Sequence, residues 1–395
     1  MSKSDPTHSQ QSWLKRSLQT SIASVDDLID VRFRQLKKRF GWDGLPRIQP
    51  YIGFANNDLA WFHGRVLTNP PQELPSEDDN WWDNVLQMYQ RFASEEVVGV
   101  QVEIDFAGKK HLVVTDYEGY FHLETANTPE VLDRQAWKSI AMRIVNHPRI
   151  GADTSATFSK MLTPPVSTAF GVISDIDDTV LHTGMAGLLT AARLTFLHNA
   201  RTRKPLPGVA AWYRALNGQV ASEAALFNPI FYVSSSPWNL FDLLEDFLEL
   251  NDIPDGPILL RDLGFDHNKF LKEGHEHKLD KIVRIMTAFP ELPFVLIGDS
   301  GQEDPQLYAQ AAERFPKQIK VIFIRDVDPE VTSHYDAAVT TSIEVAAAHG
   351  VPMHLIRDSL TAADICRSMG LIPESTLSQI QADTVRDFNR PQATV

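Results

Sequence analysis

The fold is decided by the stretch Gly171-Val172-Ile173-Ser174-Asp175-Ile176-Asp177-Asp178-Thr179-Val180, in which an apolar run passes directly into a cluster of carboxylates. The run at residues 169–173 has the length of a buried strand, and residues 230–233, 294–297 and 321–324 share its character. Helix-length segments separate these runs, which is typical of buried parallel strands. We therefore predict a doubly wound α/β domain over residues 160–370, with its chemistry beyond the carboxyl ends of the strands.

Carboxylates follow the first run at Asp175, Asp177 and Asp178. Carboxylates this close to a buried strand are unfavourable unless a cation or strong hydrogen-bond donors compensate them, and Mg²⁺ is a hard ion that such oxygens bind. An extended chain places Asp175 and Asp177 on the same side, which suits a nucleophile and a separate acid/base group. The alternative is an acidic loop that only caps the strand.

Serine residues follow the second run, in the sequence Ser234-Ser235-Ser236-Pro237-Trp238-Asn239. Hydroxyl and backbone N–H groups between a strand and a helix can hold an anion, and Ser234 is the best placed hydroxyl. The other residues that we predict to bind phosphate are Thr179, Ser235, Ser236 and Asn239. A serine-rich turn that merely begins a helix would have the same sequence.

A second acidic loop follows the third run and extends from Gly298 and Asp299 to Asp304. Gly298 lets the backbone approach closely, and Asp299 is a natural ligand for the same Mg²⁺. Asp304 is predicted either as a further ligand or as an acceptor that orients Ser300 or a water. The predicted metal ligands are thus Asp175, Asp177, Asp299 and Asp304. A plain loop with a helix N-cap is the alternative.

A basic residue, Lys278, lies near the start of a helical segment between the second and third runs. Its ammonium group can contact a phosphoryl group or screen the carboxylates. His275 and His277 precede it and also suggest a transition-metal site. Their spacing lacks the pattern that places two ligands on one helical face. A surface loop, or a lid near the substrate, is therefore the favoured interpretation of the two histidines.

The chain before residue 160 has a different pattern. Val102, Ile104 and Phe106 alternate with polar residues, as in a half-buried strand, and residues 116–119 have the sequence of a turn. Other short β-type runs lie nearby, and together they predict an antiparallel β-sandwich over residues 46–155. A tail with an amphipathic helix is predicted for residues 1–45, and a C-terminal tail for residues 371–395.

The composition is typical of a soluble globular protein, with 43% apolar and 22% charged residues in a chain of 395. The net charge of −14 argues against general nucleic-acid binding, and the single cysteine, Cys366, excludes an intrachain disulfide. The first residues lack the apolar core of a secretory signal, and no stretch of about 18 apolar residues occurs. We expect a cytoplasmic protein without a transmembrane segment that contacts membranes only peripherally.

The motifs resemble those of a known superfamily of phosphohydrolases. The pattern Asp175-x-Asp177-x-Thr179-Val180, then Ser234, then Lys278, then Gly298-Asp299-x-x-x-x-Asp304 follows the order of the four motifs of the haloacid dehalogenase (HAD) superfamily. The strings Asp-Ile-Asp-Asp-Thr-Val, Val-Ser-Ser-Ser-Pro-Trp-Asn and Leu-Ile-Gly-Asp-Ser-Gly-Gln-Glu-Asp-Pro further resemble the catalytic domain of the actin-patch phosphatidate phosphatase family. The resemblance covers about residues 165–370 and implies a HAD-like parallel sheet with a small cap.

The resemblance implies a role for each motif residue. Asp175 would attack phosphorus and become an aspartyl phosphate, and Asp177 would protonate the leaving alkoxide and then activate water. Ser234 and Lys278 would hold the phosphoryl oxygens. Asp175, Asp299 and the carbonyl of Asp177 would bind Mg²⁺. The implied enzyme is a Mg²⁺-dependent phosphatase.

The resemblance also implies a lipid substrate, phosphatidate, whose hydrolysis yields diacylglycerol at a membrane surface. Residues 185–199 carry apolar side chains at helical spacing, which suits a cap that meets acyl chains or one that simply packs over the sheet. A soluble phosphomonoester is the alternative substrate. A non-catalytic binding or scaffold protein and an acidic-loop nuclease are the alternative functions.

Overall fold

The computed structural model describes residues 45–68, 95–127, 135–150, 155–176, 179–180, 205–218, 227–261, 276–328 and 334–389. Two predicted features lie outside these residues, namely the N-terminal tail with its helix and the cap at residues 185–199. The described residues form a mixed α/β structure with one largely antiparallel sheet and one parallel sheet.

Nine strands near the N-terminus form the first sheet. They are β1 (Pro46–Pro50), β2 (Gly53–Ala55), β3 (Leu59–Thr68), β4 (Glu95–Glu96), β5 (Gln101–Phe106), β6 (Lys109–Val114), β7 (Tyr120–Ala126), β8 (Trp137–Val145) and β9 (Thr157–Leu162). Their order is β1-β3-β2-β9-β8-β5-β6, and β4 and β7 also pair with β3. The pairs are antiparallel except that β2 runs parallel to β9.

Alternating side chains build the core of this sheet. Val102, Ile104 and Phe106 of β5 are buried, whereas the polar residues between them are at least partly exposed. Phe62 of β3 and Phe121 of β7 join the same apolar cluster. The predicted antiparallel pairing is therefore present, and the arrangement as a sandwich stays a prediction because all nine strands belong to one hydrogen-bonded sheet.

Two strands of this sheet, β8 and β9, are absent from the sequence-based prediction. The alternating pattern of a half-buried strand is present in β8, where Ile140, Met142 and Ile144 are buried and alternate with more exposed residues. Strand β9 pairs with β8 and carries the sheet to Leu162, beyond the predicted boundary at residue 155.

Six parallel strands form the second sheet. They are β10 (Gly171–Asp175), β11 (Ile230–Pro237), β12 (Ile258–Arg261), β13 (Phe294–Asp299), β14 (Ile319–Arg325) and β15 (Met353–Ile356). Their order is β12-β11-β10-β13-β14-β15. The four predicted strands form the centre. The two strands that the sequence pattern missed, β12 and β15, lie at the edges, where four-residue strands containing Arg261 or His354 have a weaker apolar signal.

Helices cover both faces of the parallel sheet. They are α1 (Val209–Asn217), α2 (Phe241–Leu250), α3 (Glu276–Ala288), α4 (Asp304–Arg314), α5 (His334–Ala348), α6 (Ser359–Ser368) and α7 (Leu377–Asn389). Val172 packs in a cluster with α1, α2, α6 and α7, whereas Ile173 packs in another with α3, α4 and α5. Successive strand residues thus face two cores, which explains why the strands are apolar throughout. None of the helices in the described ranges is long and apolar enough to cross a bilayer.

The predicted C-terminal tail is wrong over residues 377–389, because these residues form α7. Ile380 is 1% exposed and belongs to the core on the α1 side of the sheet. Asp387 accepts a hydrogen bond from the backbone N–H of Gly208 at 3.0 Å, and Asp383 pairs with Arg214 at 2.7 Å. Two acidic residues of this segment are therefore partners of α1 and of the residue before it.

The packing of α7 generates a stability prediction. Replacing Ile380 with alanine should lower the free energy of unfolding by about 2–5 kcal/mol, because it leaves a cavity in a core position. Val385 lies on the same helix and is 55% exposed, so Val385→Ala should change it by no more than about 0.5 kcal/mol. Urea denaturation of the two variants measures both values. Equally small losses would show that α7 does not pack on the core.

Candidate active site

The central strands β11, β10 and β13 are neighbours and end at the same edge of the parallel sheet. Asp175, the last residue of β10, lies opposite Val233 of β11, and Ser174 lies opposite Ile297 of β13. Ser234 and Asp299 follow shortly after these partners. The sheet register therefore brings an aspartate from each of two strands and a serine from the third to one carboxyl edge.

Carboxylates converge at this edge. One oxygen of each of Asp175, Asp299 and Asp304 lies within 4.8 Å of the others, and all three side chains are buried. Buried carboxylates at this spacing repel one another unless positive charge compensates them. Carboxylate oxygens are the ligands that hard cations prefer, so this donor set fits Mg²⁺ better than a soft transition metal.

Lys278 supplies positive charge to the cluster from the first turn of α3. Its Nζ lies 2.9 Å from Oδ1 of Asp175 and also donates to Oδ1 of Asp304, and the side chain is only 2% exposed. Burial alone would lower the pKa of Lys278, but the neighbouring carboxylates outweigh burial and raise its pKa above the usual value. The ammonium group therefore stays charged at neutral pH and binds two segments of the site together.

Gly298 is required by the close approach of Asp304 to the strand end. Oδ2 of Asp304 accepts a hydrogen bond from the backbone N–H of Asp299 at 3.2 Å. A Cβ atom at position 298 would lie 2.8 Å from both Cβ of Asp304 and Cε2 of Tyr308, closer than carbon atoms can pack. The loop shape is further fixed because Oδ1 of Asp299 accepts from the N–H of Gln302 at 2.9 Å.

Residues 234–236, called the serine turn here, lie in the last part of β11, where the register with β12 is irregular, and are held by hydrogen bonds of their own. Oγ of Ser234 accepts from the N–H of Ser236 at 2.8 Å, and both side chains are buried. Lys281 of α3 donates to the carbonyl oxygen of Ser234 at 3.4 Å. Lys281 is not among the predicted site residues, although its position three residues after Lys278 on one helix indicates a shared face.

Two buried tyrosines brace the strands that carry the aspartates. Tyr213 shares a 2.7 Å hydrogen bond with Oγ of Ser174 on one face of the sheet, and Tyr308 donates to the carbonyl oxygen of Ile297 at 2.8 Å on the other. Burial is the main cause that raises the pKa of both phenols. Both hydroxyls therefore remain protonated and act as fixed donors or acceptors.

Some predicted site residues have other surroundings or are not described. Oγ1 of Thr179 lies 3.5 Å from Oδ2 of Asp175, so Thr179 adjoins the nucleophile candidate. Ser235 is partly exposed at the turn. Asp177 and the side chain of Asn239 lie outside the described residues, so their predicted roles stay predictions.

The suggested role of Asp304 in orienting Ser300 is not observed. Oγ of Ser300 instead accepts from the N–H of Val327 at 3.1 Å, which joins the loop after β13 to the loop after β14. Asp304 uses its two oxygens on Lys278 and on the backbone of Asp299. The N-cap residue of α4 is Glu303, whose side chain makes no capping bond.

Within the part of the chain that the structure describes, His277 does not join the carboxylate cluster. His277 is partly exposed in the first turn of α3. Among the described residues, the group with metal-binding spacing consists of carboxylates alone. His275 lies outside the described residues.

One segment of the chain is similar to a known protein family. Residues 170–326, which contain the carboxylate cluster, Lys278 and the serine turn, match the family model described as "Phosphatidate phosphatase APP1, catalytic domain". This match confirms the resemblance to the actin-patch phosphatidate phosphatases that the motifs predicted.

Two relatives are similar to part of this chain. The chain is 32% identical over 195 residues to phosphatidate phosphatase APP1 of Saccharomyces cerevisiae, which is 48% of this chain and 32% of the yeast protein. It is also 32% identical over 158 residues to the uncharacterized protein C29B5.04c of Schizosaccharomyces pombe, which is 40% of this chain and 25% of that protein. The chain thus spans about a third or less of these relatives.

Similarity to solved structures is weak. A carbohydrate acetylesterase from Xanthomonas citri aligns with 86% of this chain and 74% of its own length at 9% identity, with a TM-score of 0.28. A similarity of this size carries no argument about fold or function.

The buried lysine generates a second stability prediction. Lys278→Met should lower the free energy of unfolding by about 3–5 kcal/mol, because it leaves Asp175 and Asp304 buried without their shared cation. The pKa of Lys278 is higher in the folded than in the unfolded chain, so its contribution is complete below the unfolded pKa and is lost as pH rises through the folded one. The difference between wild type and variant should therefore stay constant between about pH 7 and 9.

Lys281→Met is the matched control for this prediction. Lys281 lies on the same helix but is only partly buried, and its loss should cost less than about 1 kcal/mol. Urea denaturation at several pH values measures both variants. A Lys278→Met protein as stable as Lys281→Met would show that the ion pairs in the cluster do not stabilise the fold.

Proposed function

We propose that this chain is a Mg²⁺-dependent phosphatase that hydrolyses a phosphomonoester through an aspartyl phosphate on Asp175. The observation that carries the proposal is the convergence of buried carboxylates and Lys278 at the ends of neighbouring strands, inside the segment that matches the phosphatidate phosphatase model. Phosphoryl transfer requires a positioned nucleophile and positive charge on the phosphoryl oxygens. In this arrangement, Asp175 offers the nucleophile and Lys278 offers the positive charge.

The proposal includes a HAD-like catalytic domain at about residues 160–370, extended by α7. It is supported by a parallel sheet with helices on both faces and by the position of Asp175 at the end of a central strand. The N-terminal β-sheet domain and the cap at residues 185–199 remain part of the same proposal.

The donor set supports Mg²⁺ as the cofactor. Three buried carboxylates lie near a single ammonium group, so their negative charge exceeds its positive charge. A divalent cation would compensate this excess. Asp304 already accepts from Lys278 and from the backbone of Asp299, so Asp175 and Asp299 are the favoured direct ligands, with the carbonyl of Asp177 as a further one. Bound Mg²⁺ would polarise the phosphoryl oxygens and stabilise the charge that develops on them.

In the first proposed step, an oxygen of Asp175 forms a bond to phosphorus as the bond from phosphorus to the alcohol oxygen breaks. The leaving oxygen keeps the electron pair and takes the proton of the Asp177 carboxylic acid. Lys278, held charged beside Asp175, donates to a phosphoryl oxygen, and Ser234 contributes a further contact. These fixed donors matter because uncatalysed hydrolysis of phosphate monoesters is slow enough to require up to ~10²¹-fold acceleration.

In the second proposed step, the Asp177 carboxylate takes a proton from water, whose oxygen attacks the phosphorus of the aspartyl phosphate. The bond between phosphorus and Asp175 breaks, and the electron pair returns to the Asp175 carboxylate. Inorganic phosphate leaves, and Asp177 is protonated for the next cycle.

The family match favours phosphatidate as the substrate, with diacylglycerol as the product. The yeast relative is named as a phosphatidate phosphatase, and the family model of the same name matches residues 170–326, which include the proposed site. A lipid substrate requires contact with a membrane surface, and no helix within the described ranges spans one. We therefore propose peripheral attachment during turnover, and a cytoplasmic location remains our expectation.

A phosphate-release assay tests this function. Phosphatidate in mixed micelles, p-nitrophenyl phosphate and a sugar phosphate are supplied to the wild-type protein with Mg²⁺ or with EDTA. We expect release from phosphatidate that EDTA abolishes. Asp175→Asn should lower kcat by about a thousandfold or more, because the amide is not a nucleophile.

Asp364→Asn is the matched control, since it makes the same chemical change at an exposed helix position. It should leave kcat unchanged. Release from soluble esters but not from phosphatidate would reject the lipid substrate. Absence of release from all substrates would favour a binding or scaffold protein, and hydrolysis that survives Asp175→Asn would reject the mechanism.

A further inference from the structure

An aromatic cluster joins the N-terminal sheet to the segment that follows the serine turn. Trp238, which begins the short helical turn after β11, stacks on Tyr51 at a ring-centroid distance of 4.4 Å and on His63 at 4.8 Å. Phe241, at the start of α2, packs against Tyr51 at 4.2 Å. Tyr51 and His63 belong to the N-terminal sheet region, whereas Trp238 and Phe241 belong to the parallel-sheet region.

The two N-terminal rings lie side by side on the indole. The centroids of Tyr51 and His63 are 5.3 Å apart, which is too close for the rings to lie on opposite faces of Trp238. Trp238 and Tyr51 are 8% and 2% exposed. The indole therefore packs against two rings of the N-terminal sheet region. Separating these rings would cost free energy because it would expose buried apolar surface.

Tyr51 is itself fixed by the backbone of its sheet. Its N–H donates to the carbonyl oxygen of His63 at 3.1 Å, and its carbonyl oxygen accepts from Oγ of Ser159 at 2.9 Å. The ring thus extends from a chain segment that strands β3 and β9 hold in place. A ring whose backbone is fixed can hold the residue that stacks on it in one position.

Strand pairing and the seat of Trp238 hold the far end of the serine turn. Ser236 is two residues before Trp238, so the two Cα atoms are at most about 7.6 Å apart. Val233, before the turn, pairs with Leu259 of β12, and Pro237, after the turn, pairs with Arg261, with an irregular register between the two pairs. Lys281 contacts the carbonyl oxygen of Ser234. Trp238 follows Pro237 directly, so its seat fixes the chain at the point where β11 ends.

We propose that Trp238 is a positioning residue for the phosphate-binding turn and that Tyr51 of the N-terminal sheet sets its position. The N-terminal sheet is then part of the phosphatase unit and not an independent module. The inference rests on the proposed function of the serine turn as a phosphate site. In this proposal, the contact between the two sheets holds the phosphate-binding turn in position.

Phe54 provides a matched control for Tyr51. It lies three residues further along the same segment, is 5% exposed and also packs on the parallel-sheet region. Its contacts are Phe231 at 5.7 Å and Phe289 at 6.1 Å, near the other end of β11 from the serine turn. Loss of either aromatic ring should therefore weaken the contact between the sheets, but only the loss of Tyr51 should disturb the turn.

The test compares Tyr51→Leu, Tyr51→Phe and Phe54→Leu with the wild-type chain. Calorimetric titration with inorganic phosphate in the presence of Mg²⁺ gives the phosphate Kd, and p-nitrophenyl phosphate gives KM and kcat. All measurements are made below the melting temperature of each variant, which circular dichroism determines.

We expect Tyr51→Leu to raise the phosphate Kd and the KM about tenfold, because the turn loses its seat. Tyr51→Phe keeps the ring and should stay near the wild-type values. Phe54→Leu should lower the melting temperature about as much as Tyr51→Leu yet leave Kd and KM within about twofold. This split between stability and phosphate affinity is a result that a merely structural role for Tyr51 does not produce.

Other outcomes separate the inference from the function on which it rests. Equal Kd values for Tyr51→Leu and Phe54→Leu would overturn the inference while leaving the phosphatase intact. A wild-type protein that binds phosphate but releases none from any ester would overturn the proposed function, and the Kd values would still decide the role of Tyr51. A wild-type protein that binds no phosphate would overturn both.

Discussion

The ion pairs of Lys278 are the interaction on which the candidate site depends. Burying Asp175, Asp299 and Asp304 together is strongly unfavourable, and an ammonium group that contacts two of them offsets part of that repulsion. The pairs also connect α3 to the end of β10 and to the start of α4. The charge compensation that makes the cluster tolerable is therefore also the contact that assembles it. In the proposed function, the remaining negative charge attracts a divalent cation, and that cation together with Lys278 attracts the anionic phosphoryl group.

The surrounding fold holds these charges in a fixed arrangement. Gly298 gives Asp304 room at the strand end, and Tyr213 and Tyr308 bond to the two central strands from opposite faces of the sheet. Groups fixed before the substrate arrives need no reorganisation during the reaction, which is the main source of electrostatic catalysis. The N-terminal sheet adds a restraint of the same kind through the stack of Tyr51 on Trp238.

The sequence predicted the centre of the structure better than its periphery. Buried parallel strands are apolar along their whole length, so β10 and β13 were recognisable, and their acidic ends identified Asp175 and Asp299 before any geometry was known. Edge strands such as β15 and the polar helix α7 lack that signal, because their burial depends on partners distant in the chain. The same reason explains why the stacking of Tyr51 on Trp238 was not foreseen: residue types show that a ring can pack, but not on which ring.

Calorimetric titration of Mg²⁺ into the wild-type protein and into Asp299→Asn measures whether the strand-end carboxylates share one divalent ion. We expect a single Mg²⁺ per chain in the wild type and binding at least about tenfold weaker in the variant, with circular dichroism showing that the variant is folded. A wild-type protein that binds no Mg²⁺, or a folded Asp299→Asn that binds it equally well, would show that these carboxylates do not hold the ion.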